Sequence, residues 1–316
     1  MKTFFFTLIS TLLLFAALLL YDSATSAQSE KKIVSRSNGT LVVEQAIEQF
    51  QAIKTISSRL RLKCHFFGEG YGGSGFYYEK RLPTVQTSAV SPNCFLLDLK
   101  FQADSLPGLE NRSSTLKIVT NGSDLWKYND IEKEKPLERV NLVELQEILT
   151  KTQRGRGNGS GNSLQLVGLG ELTSLGGLEG TLIKLTKFYD FDSASVEETR
   201  LDSENRAVWK VSAKLKPARL KAMIEAYGGD KAVAAHGGMH IPATVCIYFG
   251  KDNFFPYQFS YYGGVQENPF NEPPSIELEY REVAINEADI STEFFNYRPT
   301  SYYEDVTETY ANRLLE

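Results

Sequence analysis

The stretch Thr55-Ile56-Ser57-Ser58-Arg59-Leu60-Arg61-Leu62-Lys63-Cys64-His65-Phe66-Phe67 decides the fold class. Ile56, Leu60, Leu62, Cys64 and Phe66 share one parity, and Arg59, Arg61, Lys63 and His65 share the other. A period of two is that of an extended strand, and a single wet face marks an antiparallel sheet, because parallel strands are covered on both sides. Upstream the period changes. Val43, Ala46, Ile47, Phe50 and Ile53 recur at helical spacing over Leu41 to Lys54, with Thr40 placed to cap the first turn.

Downstream the strand pattern repeats. Phe76 and Tyr78 share a face, and Phe95, Leu97, Leu99 and Phe101 alternate with Leu96, Asp98, Lys100 and Gln102. Residues 115–120 and 124–128 flank Asn121-Gly122, a pair that takes positive φ readily and predicts a tight hairpin. Further strands are read at Ala207 to Leu215, at Ala243 to Phe249 with Pro256 to Tyr262 folding back on it, and at Ile276 to Ile285. In the last of these the apolar parity flips near Arg281-Glu282, which a β-bulge would restore. Helices are predicted around Leu142 to Leu149 and Leu220 to Tyr227, the latter ending at Gly228-Gly229. Gln153 to Ser163 reads as a loop, and the glycine-broken leucines of Leu164 to Leu178 are left open. Strands dominate and helices are few, so the class is α+β, with a large antiparallel sheet and helices on one face.

Lys and Arg number 34 against 39 Asp and Glu, a net charge of −5 that argues against nucleic acid as a partner. Three cysteines, Cys64, Cys94 and Cys246, allow at most one disulfide, so no disulfide framework holds the chain. Met1-Lys2 and the apolar run Phe4 to Leu20, followed by small and polar residues through Ala27, have the layout of a secretory signal peptide cleaved before Gln28 or retained as an anchor. The expected organisation is therefore a signal over 1–27, a flexible arm over 28–40, one domain over 41–304 and a C-terminal tail over 305–316. Export to the periplasm or cell envelope follows from the same layout. Glycosylation patterns at Asn38, Asn111, Asn121 and Asn158 are read as turn chemistry.

No catalytic constellation stands out. Gly68-Glu69-Gly70-Tyr71-Gly72-Gly73 spells the dinucleotide fingerprint, but a strand follows where the chemistry needs a helix N-terminus, so a hairpin loop is expected instead. His236 and His240 are four apart across two glycines and lack a third ligand beyond Cys246, so no metal site is assigned. Only three histidines exist, which leaves few ways to build a Ser/His/Asp or Cys/His centre. The chain reads as a non-enzyme without cofactor. Its 19 Phe and 16 Tyr crowd into strands and suggest an apolar trough on the concave side of the sheet, able to hold acyl chains. The residues expected to line it are Leu60, Leu62, Phe66, Phe76, Tyr78, Leu97, Leu99, Trp126 and Tyr128.

Three groups of residues carry a family resemblance: Ala46-Ile47-Glu48-Gln49-Phe50 leading into the first strand, Ile118 to Tyr128 with its Asn-Gly turn and Leu125-Trp126-Lys127-Tyr128, and Glu277 to Asn286 followed by Phe294-Phe295-Asn296-Tyr297-Arg298-Pro299. In these the chain resembles the LolA-like periplasmic carriers and outer-membrane lipoprotein-sorting proteins over most of residues 41 to 300. The resemblance implies an unclosed antiparallel β-barrel wrapped around amphipathic helices, with lipid or lipoprotein acyl chains as partners. It also implies an alternative, an envelope interaction or stress-sensing protein that uses the same fold without lipid transport. The chain departs from the compact carriers by extra material around 153–178 and 217–240, and no role is carried over to Arg59 or Arg61.

Overall fold

The structure, a computed structural model, describes residues 38–66, 69–82, 93–103, 113–129, 137–155, 177–201, 205–226, 242–263, 273–287, 289–300 and 302–315. The signal and most of the arm lie outside the described residues, as do most of the loop over 153–163 and both loop histidines, His236 and His240.

In chain order the elements are α1 (Asn38–Ala52), β1 (Thr55–Phe66), β2 (Glu69–Arg81), β3 (Asn93–Ala103), β4 (Ser113–Thr120), β5 (Asp124–Asn129), β6 (Leu137–Asn141) and α2 (Leu142–Gly155). Then come α3 (Gly177–Phe188), β7 (Tyr189–Leu201), β8 (Arg206–Leu215), α4 (Pro217–Ala226), β9 (Pro242–Gly250), β10 (Pro256–Gly263) and β11 (Ile276–Ile285). A 3-10 turn (Thr292–Phe295), β12 (Glu304–Asp305) and α5 (Thr307–Leu315) complete the chain. The strands form one sheet of order β12-β6-β5-β4-β3-β2-β1-β11-β10-β9-β8-β7. Every neighbouring pair is antiparallel except β12 with β6, and the end strands β7 and β12 do not pair, so the barrel is unclosed. This is the α+β architecture expected from the strand and helix periods.

Local chemistry sets the curvature. The glycine stretch expected as a hairpin loop is instead the first half of β2, paired from Glu69 opposite Phe66 to Lys80 opposite Thr55. Its glycines answer to packing, since a Cβ on Gly75 would overlap the Asp98 carbonyl and one on Gly73 would come within 3.0 Å of Lys100 O. Strand β3 packs against β2 at these positions only because the side chains are missing. The bulge expected near Arg281-Glu282 forms. Its register skips between Ser57 and Arg59, and Glu282 takes φ 48°. Beyond it Asn286, at φ 59°, turns its amide oxygen to the Lys54 and Thr55 N–H groups at 2.7 and 3.2 Å and stitches β11 to the start of β1. At Asn121-Gly122 the hairpin closes with Gly122 at φ 88°, and Asn121 Oδ1 accepts from the Ser123 and Asp124 N–H groups at 2.9 and 2.8 Å.

The inner face of the sheet is the one covered by helices. Val43, Ala46 and Phe50 of α1 and Leu178, Leu182 and Leu185 of α3 bury against residues from β1, β2, β8, β9, β10 and β11. Helix α1 begins at Asn38, so Thr40 sits within it rather than before it. The Thr40 hydroxyl donates 2.6 Å to Asp192, fastening α1 to β7. A second inner cluster joins Leu125 and Val140 to Leu142, Leu145 and Leu149 of α2 and to Tyr310 and Ala311 of α5.

After β11 the chain crosses to the outer face, where Ile290, Phe295 and Tyr297 pack on Leu96, Val119 and Trp126. It then rounds the β6 edge as β12. Residues 305–316, read from sequence as a tail, contain α5 on the inner side. Arg139 holds the crossing, bonded to Asp124 at 2.7 Å and Asp305 at 3.2 Å, with Val306 N–H on its carbonyl at 2.9 Å. Arg139→Ala is expected to cost only about 1 kcal/mol, because these ion pairs are partly solvated. Limited proteolysis should nonetheless show faster cleavage after residue 300, and unchanged cleavage would mean that Arg139 does not hold this segment.

Candidate functional site: the inner face and the ends of helix α3

Of the nine residues expected to line one trough, the eight whose side chains are described lie on two faces. Leu60, Leu62 and Leu99 are buried in the inner cluster, and Leu97 packs against it. Tyr78, Trp126 and Tyr128 lie on the outer face under the returning C-terminal segment, where Trp126 is buried and meets Tyr297 and Tyr303 at ring distances of 5.7 and 5.0 Å. Phe76 is also on the outer side, 47% exposed and stacked 6.3 Å from Tyr78. Phe66 ends β1, and its side chain lies outside the described residues. Trp126 therefore reports on the C-terminal segment and not on the inner face.

Sequence reading missed the polar groups on the inner face. Parity in β2 places Tyr77, Glu79 and Arg81 inside and Phe76, Tyr78 and Lys80 outside, so two charged side chains face the helix-covered side. Glu79 is 5% exposed and its carboxylate meets three donors: the Tyr77 hydroxyl at 2.5 Å, Asn93 Nδ2 at 2.8 Å and the Leu178 N–H at 3.1 Å. The last belongs to the first turn of α3, whose free amides and positive dipole end favour an anion. Gly177 begins that helix at φ 62°, and a Cβ on it would fall on the Glu79 carboxylate. Arg81 completes the cluster, paired with Glu179 and donating 3.1 Å to the Phe50 carbonyl at the end of α1. A cleft of about 10 Å³ opens beside Glu79 and Arg81, bounded by Phe50, Ile53 and Ile56, which is room for about one water molecule.

The other end of α3 carries the opposite charge. Lys216 Nζ donates 2.8 Å to the Thr186 carbonyl in the last turn, and Lys216 N–H bonds the Phe188 carbonyl at 2.9 Å. Burial lowers the Lys216 pKa from its ordinary value, while Asp190 and Asp192 work in the other direction. For Glu79 burial dominates and lifts the carboxyl to about 7, against the Tyr77 and Leu178 bonds and Arg81, which favour the anion, and with Glu179, which opposes it. Three leucines between the clamps contribute roughly 1.5–3 kcal/mol each. Charged hydrogen bonds of about 1.5–3 kcal/mol at the ends are thus a comparable part of what keeps α3 docked.

The cysteines supply no activated thiol. All three cysteines are free and buried, and burial pushes the Cys64 thiol up to about 12 and Cys94 to about 11. The thiolate is the reactive form, so these sulfurs pack as small apolar groups. Among the described residues no group of three or more His, Cys, Asp or Glu is placed to hold a metal ion, and no helix is long and apolar enough to cross a membrane.

No model of a known protein family matches this sequence, and no curated protein matches it. Solved structures similar to it include a chain of the Pseudomonas aeruginosa MucA/MucB complex, at 7% identity and TM-score 0.37. That match takes in 81% of this chain, which spans about 60% of the length of its counterpart. LprF from Mycobacterium bovis is similar at 6% identity and TM-score 0.37, over 81% of this chain and 97% of that one. A LolA superfamily protein from Nitrosomonas europaea is similar at 12% identity and TM-score 0.25, over 84% and 99%. At these scores the likenesses carry no argument about ligand or partner.

Proposed function

We propose that the chain is a non-enzymatic binding protein of the cell envelope that takes an acyl chain onto the inner face of its sheet, with α3 as the element that gives way. The observation that carries this reading is the construction of that face. It is an apolar field running from β1 to β4 and from β8 to β11, and α3 lies on it held by three leucines and two polar end clamps. An acyl chain can replace leucine contacts one methylene at a time without needing a polar partner. A sixteen-carbon tail gains roughly 12 kcal/mol at about 0.8 kcal/mol per methylene. Association costs of about 4–15 kcal/mol and the loss of the α3 leucine contacts are set against that gain, so affinity no tighter than micromolar is expected.

The test is native mass spectrometry of protein purified from its own envelope, joined to calorimetric titration with 1-palmitoylglycerol below its micellar concentration. Co-purifying lipid and micromolar uptake are the expected results. No bound lipid and no heat at high micromolar ligand would sink the reading. One observation favours a protein partner as the second reading: Phe76 and Phe294, each about half exposed, flank Tyr78 on the outer face as a run of rings in contact. Chemical cross-linking in the envelope that returns a single protein through this face, with no lipid bound, would support it.

A further inference from the structure

We infer that the outer face of β1 to β3 docks on an anionic phospholipid surface, with Arg61 and Lys100 meeting headgroup phosphates and Phe76 and Phe294 entering the interface beside them. The inference goes beyond the inner-face reading and stands without it, because it uses the opposite side of the sheet.

The register lays this surface out in rows. Arg61 of β1 lies opposite Ser74 of β2, and Ser74 lies opposite Lys100 of β3. Two strand spacings put the two cationic residues about 10 Å apart at the backbone. All three side chains are exposed, with only the small serine between the cations. In the next row Arg59, Phe76 and Asp98 lie side by side, and Phe76 is 47% exposed. Phe76 stacks on Tyr78, and the other neighbour of Tyr78 is Phe294, 49% exposed at a ring distance of 5.0 Å.

Charge pairing singles out the two cations. Around them Arg59 is paired with Glu282 at 3.0 Å, Lys63 with Glu277 at 2.7 Å and Arg281 with Glu279 at 2.8 Å. Lys117 is paired with Asp98 at 3.3 Å and Lys80 with Asp289 at 3.8 Å. Among the described residues none forms an ion pair or hydrogen bond with the side chain of Arg61 or Lys100. The patch therefore carries two uncompensated positive charges on a chain whose net charge is −5. Rings at headgroup depth with cations on the phosphates is the layering that a phospholipid leaflet rewards. A purely apolar protein patch would cover the rings but strip water from two unpaired cations, which is costly. The negative charge of the rest of the chain opposes an anionic surface, so docking is expected to be weak and to fade with salt.

The experiment is acetylation of lysines in the full chain, mixed with vesicles of phosphatidylcholine or of an equal mixture with phosphatidylglycerol. It is read as the lipid concentration that half-protects Lys100. Lys151 and Lys221, 76% and 79% exposed on α2 and α4, serve as references in the same molecule. A local readout keeps the result independent of any insertion by the apolar run Phe4 to Leu20. Lys100 should be protected by the anionic vesicles alone, with the references unchanged, and high salt should abolish the protection. Arg61→Gln should raise the lipid needed roughly five-fold, the worth of one cation at such a surface. Phe76→Ser should raise it as well. Lys214→Gln, which removes the same charge from the exposed face of β8, should leave it unchanged.

No protection, equal protection by neutral vesicles, or an equal shift in Arg61→Gln and Lys214→Gln overturns the inference. Protection by inorganic phosphate as full as that by vesicles would make this a soluble-phosphate site and also overturn it. So would cross-linking of this face to an acidic protein in the envelope with no protection by vesicles. Uptake of 1-palmitoylglycerol, which is uncharged, should not respond to Arg61→Gln, so its failure would remove the inner-face reading and leave the docking surface in place.

Discussion

Leu62→Asp is expected to abolish the folded domain, and Arg61→Asp to leave it standing. The two residues are neighbours on β1 that point to opposite faces. Leu62 is buried in the inner cluster opposite Leu278 of β11 and Gly73 of β2. Truncating a buried leucine costs about 2–5 kcal/mol, and placing an unpaired carboxylate in its space adds several more. Against a total stability on the order of 5–15 kcal/mol that sum is disabling. Arg61 is exposed and lies opposite Glu279 and Ser74. Its replacement sets an exposed carboxylate across from Glu279, which is 5% exposed and paired with Arg281 at 2.8 Å, at a cost of about 1–3 kcal/mol that the domain survives. Urea unfolding followed by far-UV circular dichroism decides between them: similar midpoints for the two variants would mean the strand faces are assigned wrongly.

What the sequence made legible was parity, and parity has limits that particular strands expose. In β1 the apolar parity was the covered one, and the flip near Arg281-Glu282 located a bulge that the register confirms. In β2 both parities are mixed. Phe76 and Tyr78 look like core and face outward, while Glu79 and Arg81 look like surface and face inward. The deciding contacts come from Leu178 and Asn93, distant in sequence, and no local pattern encodes them.

Trp126 shows the same limit. Its strand has a covered residue on both sides, because α2 and α5 lie over Leu125 while the C-terminal segment lies over Trp126. A sheet covered on both faces gives no polar face to orient by. For α3 the signal was present but weak: Leu178, Leu182 and Leu185 are spaced as on one helix face, yet Gly176, Gly177 and Gly180 disguise the start as a loop. Gly177 is required by its left-handed backbone and by Glu79, so the residue that hid the helix is also the one that lets it dock.

Gly177→Ala is accordingly expected to release α3 while the sheet stays folded. An alanine at φ 62° carries strain of about 1 kcal/mol or more. Its methyl group would also occupy the position of the Glu79 carboxylate, so the carboxylate must move away from Tyr77, Asn93 and the Leu178 N–H. Leaving the buried Tyr77 hydroxyl and Leu178 N–H without this acceptor costs roughly 1–3 kcal/mol more. The total, about 2–4 kcal/mol, is a large part of the roughly 4.5–9 kcal/mol with which the three leucines hold α3. Hydrogen exchange should show residues 178–188 exposed, with β8 and β9 still protected, and binding of an apolar dye should rise as the inner face opens.

A double-mutant cycle with Glu79→Ala separates strain from collision. With the carboxylate removed, only the backbone strain remains, so the pair should cost less than the sum of the single changes by more than about 1 kcal/mol. Additive costs, or a cost for Gly177→Ala below about 1 kcal/mol, would mean that the N-terminus of α3 is held by something other than Glu79, and the end clamps would lose their place in the account of how the inner face is closed.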